Sequence, residues 1–204
     1  MKITIVYDNE AEEGLTPGWG FSCLIEAGKK ILFDTGADGP TLLANMEKLG
    51  INPKSIDAIV LSHSHGDHTG GLTALLQKTG EIDVYAPFLA DIPNFHEVKE
   101  KEEICSGILI RSLEIEEYLL IKTKKGLLLI TGCSHPGLEN MIEDAKQFGA
   151  VYGALGGFHG FGQLDKLEGL GFIVPCHCTA KKAEILNQFP NAKTCAAGKV
   201  FEVK

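Results

Sequence analysis

Residues 63–71 read HSHGDHTGG, and the first six of those positions hold three histidines and one aspartate. A soluble chain has little structural use for ligand groups at that density. Neutral imidazole is a common nitrogen donor for zinc and also suits iron and nickel. In an extended segment alternate residues share a face, so His63 and His65 can turn the same way. Asp67 and His68 fall on the turn that follows and can aim at a second ion. Gly66, Gly70 and Gly71 permit a tight backbone around such a site.

The other histidines stand in TGCSHPG (His135), GGFHGFG (His159), PCHCT (His177) and NFHEV (His96). All but His96 follow an apolar run that predicts a strand, at residues 58–61, 127–131, 151–155 or 173–175. Catalytic groups of layered α/β proteins gather in loops at one strand edge, so strands lying side by side would bring these imidazoles together. Several residues also have plainer readings. Asp34 in LFDTG suits a strand-end turn. His159 can be an incidental polar residue of a glycine-rich turn, and Cys133 and Cys178 small buried hydrophobes. His96 reads as a solvated loop residue.

The positioning elements follow from the pattern. Residues 3–7, 21–26 and 31–34 predict strands, the last two joined as a hairpin at 27–30. Apolar positions 42, 43, 46 and 49 have helical spacing, with Gly50 as the stop. A helix at 72–77 and a strand at 82–86 come next. Residues 87–107 are irregular and charged, the expected lid or binding loop. Strands then follow at 108–110, 118–123 and 127–131, a helix at 138–148, a strand at 151–155, a short helix at 163–168, a strand at 173–175, a helix at 180–189 and one or two strands within 194–203. Each half of the chain opens with a strand meander and then alternates helix and strand. That predicts an α+β fold, two sheets packed face to face with helices outside, as a single domain over 1–204.

Composition narrows the function classes. The chain has 204 residues, enough for a sizeable core, and is 44% hydrophobic and 23% charged, ordinary for a globular protein. Its net charge of −8 argues against nucleic acid or an anionic membrane as a partner, since both attract basic patches. No apolar run reaches the roughly 18 residues that span a bilayer. The opening MKITIVYDNE lacks the apolar core and cleavage site of a signal peptide. The expected location is the cytoplasm, with the six cysteines as thiols.

The ordered set FDTG (33–36), HSHGDH (63–68), GCSH (132–135) and HC (177–178) resembles the metallo-β-lactamase superfamily over nearly the whole chain. Within it, TGCSHPG, GGFH and HCT look like a branch of metal-dependent hydrolases labelled dihydropteroate-synthase-like or pterin-related. The resemblance implies a four-layer αββα sandwich with a metal site at one edge of the sheets. Carried over by position, it implies that His63, His65 and His135 hold one ion, and Asp67, His68 and His177 a second. Asp34 would stand behind them and orient a ligand histidine. One departure from the family pattern matters. Many of these hydrolases carry a bridging aspartate between the third and last motifs, and here that place is taken by His159. It is either an extra ligand or a proton donor to the substrate, and a mononuclear site stays open.

The expected function is metal-dependent hydrolysis by a metal-bound hydroxide, on a small ester, lactone, thioester or phosphoester. Zinc, as one or two ions, is the expected cofactor, with iron, manganese or nickel as alternatives. Asp67 would orient the attacking oxygen and His159 would hydrogen-bond the developing anion, as the two candidate catalytic residues. His65 stands where oxygen-reducing relatives tend to carry glutamate, which favours hydrolysis. The rivals are a mononuclear iron dioxygenase or redox enzyme on the same scaffold, and a non-catalytic metal-binding module. The expected partner is a small-molecule substrate, and sequence leaves the oligomeric state open.

Overall fold

The computed structural model describes residues 1–88 and 92–204. The chain divides into two compact units, residues 1–99 with 196–203 and residues 100–195, where the sequence announced no internal boundary.

The first unit is built on β1 (Lys2–Tyr7), β2 (Ser22–Ala27), β3 (Lys29–Phe33), β4 (Ala58–Val60), β5 (Asp83–Ala86), β6 (Phe95–Glu97) and the late β13 (Val200–Glu202). They form one seven-stranded sheet in the order β13-β1-β2-β3-β4-β5-β6. Pairing is antiparallel from β13 to β3 and parallel from β3 to β6. The β2–β3 hairpin closes at Gly28, whose φ of 82° is open to glycine at no steric cost. The parallel half needs crossovers, and helices supply them: α1 (Gly39–Lys48) between β3 and β4, then α2 (Gly66–Thr69) and α3 (Leu72–Thr79) between β4 and β5. The start of α1 is fixed by Asp38, whose side chain accepts from the Thr41 N–H at 2.8 Å, with Pro40 in the first turn. Leu32, Ile59 and Val84 stand in register across β3, β4 and β5 and share a core with Leu42, Met46 and Leu75 of the helices. Each such fully buried aliphatic side chain contributes about 1.5–3 kcal/mol.

The second unit repeats the plan. Its strands are β7 (Lys101–Cys105), β8 (Ile108–Leu113), β9 (Glu116–Thr123), β10 (Gly126–Thr131), β11 (Val151–Gly157) and β12 (Phe172–Cys176), in the order β12-β11-β10-β9-β8-β7. The strands from β7 to β10 are antiparallel, and β10, β11 and β12 are parallel. Helix α4 (Leu138–Ala145) links β10 to β11, and α5 (Lys182–Gln188) follows β12. Leu129, Ala154 and Ile173 align across the parallel strands and pack with Leu138, Met141 and Ile185. A single 3-10 turn at Leu164–Leu167 stands where the sequence predicted a short helix.

The segment 87–107, expected to be irregular, is strand in two places. It carries β6 and β7, the two strands at the outer edges of their sheets, while residues 89–91 lie outside those described. Edge strands tolerate charge because one side faces no partner strand, so the run Lys101-Glu102-Glu103 reads as loop while pairing with β8. Among the described residues no helix is long and apolar enough to cross a membrane.

Candidate metal centre

Parallel neighbours run in one direction, so their C-terminal ends fall along one edge of each sheet. In the first unit those ends carry Asp34 after β3 and Ser62, His63 and His65 after β4, with Asp67 and His68 on α2. In the second, they carry Cys133, Ser134 and His135 after β10, His159 after β11, and His177 and Cys178 after β12. This is the edge at which open α/β sheets hold ligands.

The constellation of the first unit is tightly built. His68 Nδ1 donates to Asp34 Oδ2 at 2.7 Å, and Ser62 Oγ donates to the same oxygen at 2.8 Å. The Ser62 N–H donates to Asp34 Oδ1 at 2.7 Å. With the Ser62 proton committed to Asp34, the 2.8 Å contact between Ser62 Oγ and His63 Nδ1 is a bond donated by the imidazole. One fully buried carboxylate thus engages Nδ1 of His68 directly and Nδ1 of His63 through Ser62, which leaves Nε2 of each ring as the nitrogen that faces the rest of the cluster. His65 Nδ1 lies 3.0 Å from His63 Nε2, and the ring centroids of His63 and His68 are 4.3 Å apart. Asp67 Oδ2 is 3.9 Å from His68 Nε2. Two imidazole lone pairs, a third imidazole and a carboxylate at this spacing fit a borderline divalent cation.

Backbone contacts hold this cluster in place. The Thr35 N–H and hydroxyl both donate to the His68 carbonyl, at 2.7 and 2.9 Å. A Cβ at Gly70 would strike the Ala37 carbonyl and one at Gly71 the Thr35 carbonyl, so these two glycines are required by close approach. Gly66, expected to serve the same purpose, has open space around it and needs no such explanation.

The second unit organises its residues from a carboxylate that sequence reading passed over. Glu116 is fully buried, and its Oε1 accepts from the N–H groups of Gly132, Cys133 and Ser134 at 2.9–3.0 Å. Its Oε2 accepts from the His135 N–H at 2.8 Å. Ser134 Oγ ties the same loop to the Gly157 carbonyl at 2.8 Å. The ring of His135 then lies 5.1 Å from that of His159, centroid to centroid. The thiols of Cys133 and Cys178 are 3.3 Å apart. The hydrogen bond with Cys133, and the neighbouring His159, hold the Cys178 thiol down at about 6 against the opposing effect of burial. Asp34 in the first unit, and Ser134, His159 and His177 in the second, have left-handed backbones with φ of 59°, 58°, 42° and 40°. Such values are uncommon outside glycine and asparagine and persist where surroundings force them.

A model of the metallo-β-lactamase superfamily matches residues 15–141. The chain belongs to the metallo-β-lactamase superfamily. Full-length likeness agrees. A protein of Methanocaldococcus jannaschii named 7,8-dihydropterin-6-methyl-4-(β-D-ribofuranosyl)-aminobenzene-5'-phosphate synthase is 30% identical, across 83% of this chain and 84% of its own. A second, uncharacterized protein of that organism is 32% identical, across 98% of this chain and 100% of its own. Among solved structures, Tm1679, described as a metal-dependent hydrolase of the β-lactamase superfamily, superposes with a TM-score of 0.81 at 25% identity, covering 100% and 99% of the two chains. Human short-form tRNase Z gives a TM-score of 0.66 at 14% identity over 100% of each chain, which is a likeness of fold. The α+β class and superfamily type expected from the sequence are therefore borne out.

Within this metallo-β-lactamase scaffold, His63, His65, Asp67, His68 and Asp34 come together in the first unit, and His135 with His159 in the second. His177 is buried beside Cys178 and Cys133. His96 is no loop residue: it sits in β6, stacks on Tyr85 at 4.6 Å and bonds Asp83 at 3.1 Å. Phe158 and Phe161 are buried in the core of the second unit, while Trp19 is 63% exposed. A cavity of about 700 Å3 beside α4, lined by Glu139, Glu143, Lys146 and Lys166, contains none of these histidines.

Proposed function

We propose that this metallo-β-lactamase superfamily protein is a metal-dependent hydrolase of a small ester, lactone, thioester or phosphoester. His63 and His65 with His135, and Asp67 and His68 with His177, would supply the ligands of one or two zinc ions. The observation that carries the reading is the Asp34 carboxylate, which engages Nδ1 of His68 directly and Nδ1 of His63 through Ser62, so that Nε2 is the ligating nitrogen of both. A structural histidine needs no such arrangement; a ligand histidine usually has it.

A divalent cation bound here would supply a nucleophilic water at neutral pH and polarise the electrophile. The rest falls to the chain. Asp67, half-buried beside His68, orients the attacking oxygen. His159, exposed at the end of β11, donates a hydrogen bond to the charge that develops on the substrate. Asp34 keeps two imidazoles in their ligating tautomers throughout. The net charge of −8 favours a small substrate over nucleic acid. The pterin phosphate named for the archaeal relative makes a phosphate ester the first compound class to try. All six cysteines are thiols, in keeping with a cytoplasmic setting.

The test is elemental analysis of protein purified without added metal, followed by chelation and reconstitution on a panel of esters, lactones, thioesters and phosphodiesters. Turnover should vanish on chelation and return with zinc. Full turnover by metal-free protein would remove the proposal.

A further inference from the structure

Histidine accounts for most of the donors described so far, yet the second unit also presents sulfur. Cys133 Sγ, Cys178 Sγ and a ring nitrogen of His177 all lie within 4.8 Å of one another, the two sulfurs 3.3 Å apart. Cys133 and His177 are buried, and Cys178 is half-buried. All three stand on loops fixed by other bonds. The Cys133 N–H is held by Glu116, and Thr179, next to Cys178, donates its hydroxyl to the Cys176 carbonyl at 2.6 Å. Two thiols and an imidazole, preassembled within one unit, form a donor set that suits a soft or borderline cation and repels a hard one.

We propose that Cys133, Cys178 and His177 constitute a thiophilic metal site, distinct in its donors from the histidine and carboxylate set and sharing His177 with it. On binding a divalent ion, the two thiols lose their protons to solvent and the imidazole gives its lone pair. No electron changes hands. A thiophilic ion taking His177 would withdraw that ligand from the position formed with Asp67 and His68. Only this competitive consequence rests on the hydrolase reading; the site itself does not. Zinc would be accepted by either set, whereas cadmium discriminates in favour of the sulfur pair.

Cadmium is therefore the probe. Metal-stripped, reduced full-length protein titrated with cadmium chloride should develop a thiolate-to-cadmium charge-transfer band in the near ultraviolet. The band should survive in His63→Ala/His68→Ala, which disables the histidine cluster of the first unit. It should disappear in Cys133→Ser/Cys178→Ser. Mass mapping after iodoacetamide treatment of the wild-type chain needs no variant: cadmium should protect Cys178 while Cys105, also half-buried, is still alkylated. Cadmium uptake without the band, a band that persists in the double serine variant, or Cys178 alkylated at the same rate with and without cadmium would each overturn the site. Zinc content unchanged from wild type in the histidine variant, with the cadmium band intact, would tell against the hydrolase reading alone.

Discussion

Asp34 serves two imidazoles with one carboxylate, so its charge matters more than its size. Asp34→Asn keeps the volume but places an amide where two donors converge. Zinc affinity should fall on the order of 10–100-fold, read by competition with a chromogenic chelator; unchanged affinity would show that the tautomer lock is idle. Glu116 is the counterpart in the second unit. Glu116→Gln turns an N–H2 toward one of the backbone donors, and should cost about 1–3 kcal/mol in urea denaturation. Asp67→Ala should lower kcat far more than it raises KM, whereas a change confined to KM would assign it to substrate binding. The contrast between these carboxylates explains what could be read in advance. His63, His65, Asp67 and His68 are neighbours in sequence, so their density alone signals a ligand cluster. Glu116 acts on backbone N–H groups 16 to 19 residues away, and no local pattern marks an acid whose partners are main-chain atoms.

At the scale of elements, hydrophobic periodicity located nearly every buried strand and helix, because burial is what the pattern encodes. It failed at β6 and β7, whose edge positions leave charged side chains in water. It also missed α2, a single turn governed by backbone contacts with Thr35 and Phe21 instead of by an apolar face. Packing between elements has a polar fastening as well. Arg111 on β8 binds both oxygens of Asp144 on α4, at 2.8 and 3.0 Å, and Tyr118 on β9 donates to the same carboxylate. Burial alone would raise the Asp144 carboxyl, but hydrogen bonds from Arg111 and Tyr118 outweigh it and hold it below the usual range. A depressed carboxyl stabilises the fold at pH above its ordinary value, and that stabilisation is lost as pH falls through the depressed one. Asp144→Asn should thus cost roughly 1–3 kcal/mol near neutrality, with the gap to wild type closing in acid. A gap independent of pH would mean that the carboxylate charge contributes nothing.

At the scale of the molecule, the two units share one plan, antiparallel strands followed by parallel ones, each with its ligand-bearing edge. The meanders and helix–strand alternation made that plan legible in the sequence; the division at residue 99 was not, because no change of composition marks it. An ion that binds only the folded chain shifts the equilibrium toward it, so loading zinc to 100 times its dissociation constant should stabilise the chain by about 2.7 kcal/mol, seen as a higher Tm that chelation reverses. A Tm indifferent to metal would exclude tight binding to the folded chain. The left-handed backbone at residues 34, 134, 159 and 177 carries a consequence for ancestry and design. At exposed His159, where no buried bond or cavity is at stake, glycine would relieve roughly 1 kcal/mol of conformational tension, so selection for robustness and selection for turnover pull in opposite directions. A lineage released from its reaction should surrender His159 early and melt at a higher temperature afterwards.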